Sequence, residues 1–206
     1  MPRILADVNY LLMLINLVLF LIQFKKLNKA FRIFTFYLLV ISVIQLITSY
    51  YSRNGMNNLF LSHFYFFFQF LLLSFFYYTI LTVPLQRRFL LIGLVICPIV
   101  LGVQYYFDPS LFFGFNLFEI FITSFLIVIY AMFHFYNILN ESKQYYYLNT
   151  GIFIYIFGST VLFLTGNILS TLDKSYGRNI WALNGILYII YQIYIFIEWR
   201  RLKNHL

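Results

Sequence analysis

The sequence predicts an all-α protein, a polytopic transmembrane bundle of seven helices. Of its 206 residues, 63% are hydrophobic and 10% are charged, whereas an ordinary soluble domain carries about 25% charged residues. Apolar runs of about 20 residues, the length that crosses a bilayer as a helix, alternate with short polar breaks. The six acidic residues are too few to cover the surface of a water-soluble globule of this size. These observations together indicate a membrane protein.

Seven apolar runs define the predicted spans. Pro84 and Pro109 stand in two of the polar breaks, where residues that interrupt helices are expected. Neither a linker nor an internal repeat divides the pattern, so we expect a single transmembrane domain over residues 1–206. The predicted spans are 7–24, 31–51, 59–81, 89–107, 111–139, 147–172 and 180–199.

The Lys and Arg residues divide unevenly between the two sides of the predicted bundle. Ten fall on one side and four on the other, and the positive-inside rule places the richer side in the cytoplasm. We therefore expect the N-terminus outside, the C-terminus in the cytoplasm, and a multi-pass location in the inner (cytoplasmic) membrane of a bacterium. The ten are Lys25, Lys26, Lys29, Arg32, Arg87, Arg88, Lys143, Arg200, Arg201 and Lys203.

The net charge of +8 follows from this asymmetry. A basic face attracts the anionic headgroups of the bilayer, and it is also able to dock a cytosolic protein partner. Direct nucleic-acid binding is not needed to explain the charge. The residues that we name the cytoplasmic basic rim are Lys25, Lys26, Arg87, Arg88, Arg200 and Arg201.

The motifs of common soluble enzymes do not occur in this chain. It contains no GKS or GKT, no GxGxxG and no HExxH, and its one cysteine, Cys97, lies in an apolar run. A single buried cysteine excludes a disulfide framework and a thiolate zinc site. The three histidines are predicted at three different depths, which disfavours a metal centre. We expect no metal, no cofactor and no catalytic residue.

Polar residues inside the spans recur at helical spacing. Asn9, Asn16 and Gln23 are seven residues apart and share one face, and four other spans show a similar stripe. We expect these faces to turn inward and to line a polar cavity in the outer half of the membrane. The predicted cavity residues are Asn16, Gln45, Ser49, Tyr65, Gln69, Asn116, Glu119, Thr123, Asn184 and Tyr188.

Glu119 is the carboxylate predicted to lie well inside the hydrocarbon, about 12–14 Å deep by helical rise. We expect its carboxyl group to be hydrogen-bonded across the interior to residues such as Gln69, Gln45 or Asn184. The alternative is that the polar groups only join helix to helix, without a cavity. His63 lies about 100° away from the polar stripe of its helix and is a candidate switch.

Three short motifs resemble a known pattern. The run NNLFLSHFY opens the third span, NTGIFIY opens the sixth, and WALN opens the seventh. They resemble the NxxLxHxY, NxGxxxY and Wx[LI][HN] patterns of a family of small, uncharacterised seven-helix membrane proteins of AT-rich bacteria. The resemblance covers essentially the whole chain and implies the same bundle.

The chain departs from this family at three positions. Gln69 and Gln45 stand where the resemblance implies glutamate, and Asn184 stands where it implies histidine. These differences remove charge and keep hydrogen-bonding capacity. Acid–base or proton-coupled activity of the family is therefore not expected here.

We weigh three functions. The first is a non-enzymatic membrane protein whose outer-half cavity senses or carries a small or lipid-like ligand. The second is a membrane accessory of a bacterial antiviral system, one that oligomerises into a pore or regulates a cytosolic RNA-targeting effector; small polytopic proteins of this architecture accompany some RNA-targeting CRISPR effectors. The third is a lipid-modifying membrane enzyme, for which Glu119 and His63 are the acid–base pair that the sequence offers.

Overall fold

The computed structural model describes residues 3–139, 143–170 and 174–203, and for residues 3, 167–170 and 174–178 the backbone alone. The described residues form seven α-helices, each of which contains a segment of 19 to 25 residues that is long and apolar enough to cross a membrane. The prediction of an all-helical, multi-pass architecture is confirmed at this level. The helices are α1 (Arg3–Ile22), α2 (Lys29–Arg53), α3 (Phe60–Ile80), α4 (Pro84–Phe107), α5 (Leu117–Ile138), α6 (Tyr146–Ser170) and α7 (Lys174–Lys203).

The predicted start of the fifth span, residue 111, is wrong. Residues Pro109–Phe113 form a separate 3₁₀ turn, and α5 begins at Leu117. Gly114 is extended at the end of that turn, with φ −120° and ψ −168°. The Asn116 side chain then accepts a hydrogen bond from the backbone N–H of Glu119, which is how an N-cap residue starts a helix. Hydrophobicity alone does not distinguish an apolar 3₁₀ turn from a helix.

The fourth span also differs from its prediction. Its helix begins at Pro84 rather than at residue 89, because a proline is well accommodated at the first helical position. Arg87 and Arg88 therefore belong to the first turns of α4 and not to a loop. At the end of the chain, α7 continues to Lys203, four residues past the predicted end. Residues 171 and 172 of the predicted sixth span lie outside the described residues.

The chain divides into two compact units, Met1–Lys26 with Phe135–Leu206 (unit 1) and Leu27–His134 (unit 2). In unit 2, α2 and α3 form an antiparallel hairpin, in which Phe34 contacts Phe76 and Tyr51 contacts Phe60. The hairpin turns at Gly55, whose φ of +69° is the left-handed conformation that glycine adopts readily. The prediction of a single domain over the whole chain stays a prediction.

Unit 1 contains a tight antiparallel pair, α6 and α7. A Cβ atom built on Gly151 would lie 2.7 Å from Tyr194 Cβ, and one built on Gly158 would lie 2.8 Å from Leu187 Cδ1. The small residues of α6 thus allow the two helices to approach closely, as is typical of membrane helices. The third helix of the unit, α1, runs parallel to α7, because Asn16 contacts Gln192 and Leu19 contacts Trp199.

Candidate functional site

Three helix ends meet at one end of unit 2 and bring together side chains that are far apart in the sequence. His63 is in the first turn of α3, Tyr105 in the last turn of α4, and Glu119 in the first turn of α5. The 3₁₀ turn Pro109–Phe113 lies between the last two. We name these residues, with Phe112 and Asn116, the His63 cluster.

One carboxylate oxygen holds the cluster together. Glu119 Oε2 lies 2.5 Å from His63 Nδ1, and it accepts a hydrogen bond of 2.6 Å from the Tyr105 hydroxyl. The Tyr105 hydroxyl is itself 2.8 Å from His63 Nδ1. His63 and Glu119 are 6% and 2% exposed, so these contacts are made away from solvent. Electrostatic interactions are stronger in such an environment than in water.

Asn116 connects the cluster to the backbone of α5. Its side-chain oxygen accepts from the Glu119 N–H at 3.2 Å, while its Nδ2 group donates to the Tyr105 hydroxyl at 3.1 Å and to Gln104 Oε1 at 3.0 Å. Asn116 and Glu119 are spaced as the N-cap and N3 residues of a capping box. The carboxylate is also near the helix N-terminus, where the helix dipole favours negative charge.

The partner of the second ring nitrogen determines where the protons of His63 lie. His63 Nε2 is 3.1 Å from the carbonyl oxygen of Phe112, which can only accept, so Nε2 carries a hydrogen and donates it. One further proton then lies between Nδ1 and Glu119 Oε2. On Nδ1 it makes an ion pair, and on Oε2 it makes a neutral hydrogen-bonded pair. In both states each ring nitrogen has a partner within the protein.

Phe112 also covers the imidazole. Its ring stacks on His63 with a centroid distance of 5.3 Å and an interplanar angle of 25°. Phe60 and Phe64 of α3 contact the other edges of the Phe112 ring, at 6.4 and 6.2 Å. The 3₁₀ turn is therefore joined to α3 both by the hydrogen bond from the His63 side chain to the Phe112 carbonyl oxygen and by aromatic packing.

The expected partners of Glu119 are corrected by this geometry. The carboxylate contacts His63 and Tyr105, and Gln69 Nε2 instead donates to the Tyr65 hydroxyl on the same helix, at 3.3 Å. The prediction placed Glu119 deep because it counted from residue 111. Since α5 begins at Leu117, Glu119 is only about 3 Å along the helix by its rise.

The other predicted cavity residues are distributed over both units. In unit 2, Tyr65, Gln69, Asn116 and Thr123 are buried, and Gln45 and Ser49 are half-buried on α2. The Thr123 hydroxyl donates to the carbonyl oxygen of Glu119. In unit 1, Asn16 is hydrogen-bonded to Gln192, Tyr188 packs on Tyr155 and Tyr191, and Asn184 is half-buried. A cavity shared by these residues stays a prediction.

Two members of the cluster were missed at the sequence level. Tyr105 belongs to the segment QYYF at the end of a span, and such aromatic residues are typical of the membrane interface. Phe112 contributes mainly through its backbone carbonyl group, which no side-chain pattern reveals. The spacing of Asn116 and Glu119 was the available signal, because a capping box places a helix start there.

The residues of the cytoplasmic basic rim are mostly exposed. In unit 1, Lys25, Lys26, Arg200 and Arg201 are exposed, and Arg201 donates to the carbonyl oxygen of Lys143. In unit 2, Arg88 is exposed, whereas Arg87 is half-buried and donates to the carbonyl oxygen of Leu81. Contact of this rim with a cytosolic partner stays a prediction.

Within the part of the chain that the structure describes, no group of three or more His, Cys, Asp or Glu residues is arranged to hold a metal ion. No protein-family model, curated protein or solved structure matches the chain. The resemblance to small seven-helix bacterial membrane proteins stays a prediction.

Proposed function

We propose that this protein is a non-enzymatic membrane sensor for a small or lipid-like ligand, and that the His63 cluster is its switch. The observation that carries the proposal is the hydrogen bond from His63 Nε2 to the carbonyl oxygen of Phe112. It joins the 3₁₀ turn to the same imidazole that contacts Glu119. A stimulus that moves the turn therefore also changes the contact between α3 and α5.

The proton arrangement favours a sensor over an enzyme. A histidine that acts as a general base needs a ring nitrogen whose lone pair faces the proton that it removes. In the His63 cluster, Nε2 donates to Phe112 and Nδ1 is occupied by Glu119 and Tyr105. A lipid-modifying reaction at His63 would first have to break the contact with Phe112. The pair is thus better suited to holding helices together than to turnover.

The energy scale of the cluster is that of a conformational switch. A hydrogen bond to a charged group contributes about 1.5–3 kcal/mol net, and Glu119 Oε2 makes two such contacts, with His63 and Tyr105. Moving a two-state equilibrium from 1:99 to 99:1 needs about 5.5 kcal/mol of differential binding. Opening and closing of the cluster therefore lies within the range that one tightly bound ligand controls.

Two features support an apolar ligand that arrives from outside the cell. Close to the cluster in sequence, the side chains of Tyr106, Phe107 and Phe113 are 81%, 80% and 68% exposed. Exposed aromatic side chains of this kind suit the membrane interface and lipid-like molecules. The basic residues Arg87 and Arg88 lie at the opposite end of α4, which the positive-inside rule assigns to the cytoplasm.

Hydrogen exchange in lipid nanodiscs tests whether the cluster is a switch. The variants are His63→Gln and Glu119→Gln, with Thr123→Val as a matched control. Thr123 is equally buried and lies one turn further along α5, but its hydroxyl bonds backbone carbonyl groups of its own helix.

We expect both cluster variants to raise exchange about tenfold over residues 104–119. A switch must also transmit this change along α3 and α4, so exchange should rise over residues 81–88, about 30 Å away by helical rise. The control should leave both regions unchanged. If the exchange rate rises only over residues 104–119, the cluster stabilises its own surroundings without transmitting a change, which would contradict the proposal.

A further inference from the structure

A second polar feature lies in unit 1, along the contact between α1 and α7. Asn16 Nδ2 donates to both the backbone oxygen and the side-chain Oε1 of Gln192, at 2.9 and 2.8 Å. The two residues are 2% and 1% exposed. We name the set Asn9, Asn16, Asn184 and Gln192 the amide seam.

The orientation of both central amides follows from these bonds. If the Asn16 amide were turned over, its oxygen would face two other oxygens, and turning Gln192 over would oppose two N–H₂ groups. With the orientation thus assigned, Asn16 Oδ1 and Gln192 Nε2 have no hydrogen-bond partner among the described residues. One acceptor and one donor are therefore left over at the centre of the seam.

The same pattern continues toward the N-terminal ends of the two helices. Asn9 lies seven residues before Asn16, and Asn184 eight residues before Gln192, which places both about 10–12 Å further along the parallel pair. Asn9 Oδ1 and Asn184 Oδ1 are also buried atoms without a partner in the described part of the chain. Native structures leave few buried polar groups unsatisfied, so four such atoms on two packed helices point to a bound species.

The chemistry of the seam selects an uncharged species. Its buried atoms without a partner are three amide oxygens, which accept hydrogen bonds, and the Gln192 N–H₂ group, which donates and would repel a bare cation. Residues 8–24 and 179–197 contain no Asp, Glu, Lys or Arg, so a formal charge would find no counter-charge on these segments. A small molecule that both donates and accepts hydrogen bonds satisfies every group.

We infer that the amide seam binds water molecules, which donate to Asn9, Asn16 and Asn184 and accept from Gln192. Buried waters of this kind typically satisfy two to four otherwise unpaired polar groups. The seam belongs to unit 1 and the His63 cluster to unit 2. Met13, which lies between the two asparagines on α1, is apolar and 1% exposed, so we expect the waters at the amide positions and not beside Met13.

Cysteine accessibility tests this inference. Cys97 is the chain's one cysteine and is buried, so Cys97→Ser supplies the background for Asn9→Cys and Asn16→Cys. Met13→Cys is the matched control, because Met13 is 1% exposed on the same helix between the two asparagines. The probe is a methanethiosulfonate reagent, which reacts with the thiolate, a form that requires water.

We expect both asparagine positions to react at least tenfold faster than Met13→Cys. Equal, slow reaction at all three positions would overturn the inference. Protection by sodium or potassium, but not by choline at equal ionic strength, would assign the seam to a cation and would also overturn it.

A second measurement uses the wild-type protein and therefore does not depend on whether the cysteine variants fold. In ¹⁵N-labelled protein, the Gln192 side-chain N–H₂ protons should show magnetisation transfer with water, and the Met13 methyl group should not. Absence of transfer at Gln192 would contradict the inference.

Discussion

His63 Nδ1 and Glu119 Oε2 lie 2.5 Å apart, although 56 positions separate the two residues in the chain. Both residues are in the first turn of their helices. A short contact between two helix starts fixes the relative position of α3 and α5 at one end of unit 2. The same carboxylate oxygen also accepts from Tyr105, which adds the last turn of α4.

The first prediction concerns the coupling of this pair. Glu119→Gln should lower the free energy of unfolding by about 1 kcal/mol, because the glutamine oxygen still accepts from Tyr105. Glu119→Leu should lower it by about 1–3 kcal/mol, because it removes the acceptor that His63 and Tyr105 share and leaves the Tyr105 hydroxyl with His63 Nδ1 as its acceptor. Reversible denaturation in mixed micelles measures both.

A double-mutant cycle with His63→Gln isolates the interaction. We expect the effects of His63→Gln and Glu119→Gln to be non-additive, with a coupling energy of about 0.5–3 kcal/mol. Thr123→Val with Glu119→Gln should be closer to additive. Full additivity of the His63 and Glu119 variants would mean that the two side chains do not interact in the membrane.

The hydropathy pattern was sufficient to predict the seven helices, because a helix needs a long apolar segment to cross a bilayer. It failed at the start of α5, where Leu111, Phe112 and Phe113 are as apolar as a helix but form a 3₁₀ turn. Local hydrogen bonding decides that boundary, through the Asn116 cap. Hydropathy carries no information on such bonds.

The candidate site could be predicted only in part. Glu119 and Thr123 are buried on α5, and Asn116 is buried directly before its first residue; a cavity that they line stays a prediction. His63 was paired with Glu119 only in the hypothesis of a lipid-modifying enzyme. The hydrogen-bond partners expected for the carboxyl group were Gln69, Gln45 and Asn184, because a helical wheel describes one helix at a time and does not show which helix ends meet. Which helix ends meet is a property of tertiary packing, and the misplaced start of α5 had moved Glu119 away from His63.

A second prediction compares a closely packed glycine, Gly151, with one that has open space around it, Gly102. Gly151→Ala should lower the free energy of unfolding by about 1–3 kcal/mol, because its new methyl group would lie 2.7 Å from Tyr194 Cβ, an atom close to the backbone. Gly102→Ala is the control, since a Cβ atom on that residue would have no neighbour within 4 Å. Alanine there should stabilise α4 by about 0.5–1 kcal/mol.

Thermal unfolding of the two glycine variants provides the measurement. If Gly151→Ala is as stable as Gly102→Ala, then α6 and α7 do not pack as closely as described.

The third prediction concerns Glu198, which is 4% exposed. Its Oε2 atom accepts from the backbone N–H groups of Tyr147 and Leu148, at 2.9 and 3.1 Å, and so caps the start of α6 from the neighbouring helix α7. Glu198→Ala should leave both donors unpaired and cost about 2–3 kcal/mol. Glu198→Gln keeps an acceptor oxygen and should cost about 1 kcal/mol.

Amide exchange at Tyr147 and Leu148 reports on this cap directly. The alanine variant should exchange faster there, and Arg200→Gln, at an exposed position of the same helix end, should not. Unchanged protection in Glu198→Ala would show that another group caps α6.

The fourth prediction concerns topology and follows from the ten-to-four division of Lys and Arg. A reporter that is active only in the cytoplasm should be active when fused after Leu206. A reporter that is active only outside should be active when fused before Met1. Cytoplasmic location of both ends would require an even number of spans and would contradict seven.

The central claim, that His63 joins the 3₁₀ turn to Glu119, is tested most directly by ¹⁵N NMR of histidine-labelled protein in bilayers, with His63→Gln assigning the signals. We predict that Nε2 is protonated in the wild type, and that Glu119→Gln changes the Nδ1 signal while Thr123→Val does not. An unprotonated Nε2, or an Nδ1 signal insensitive to Glu119→Gln, would contradict the account.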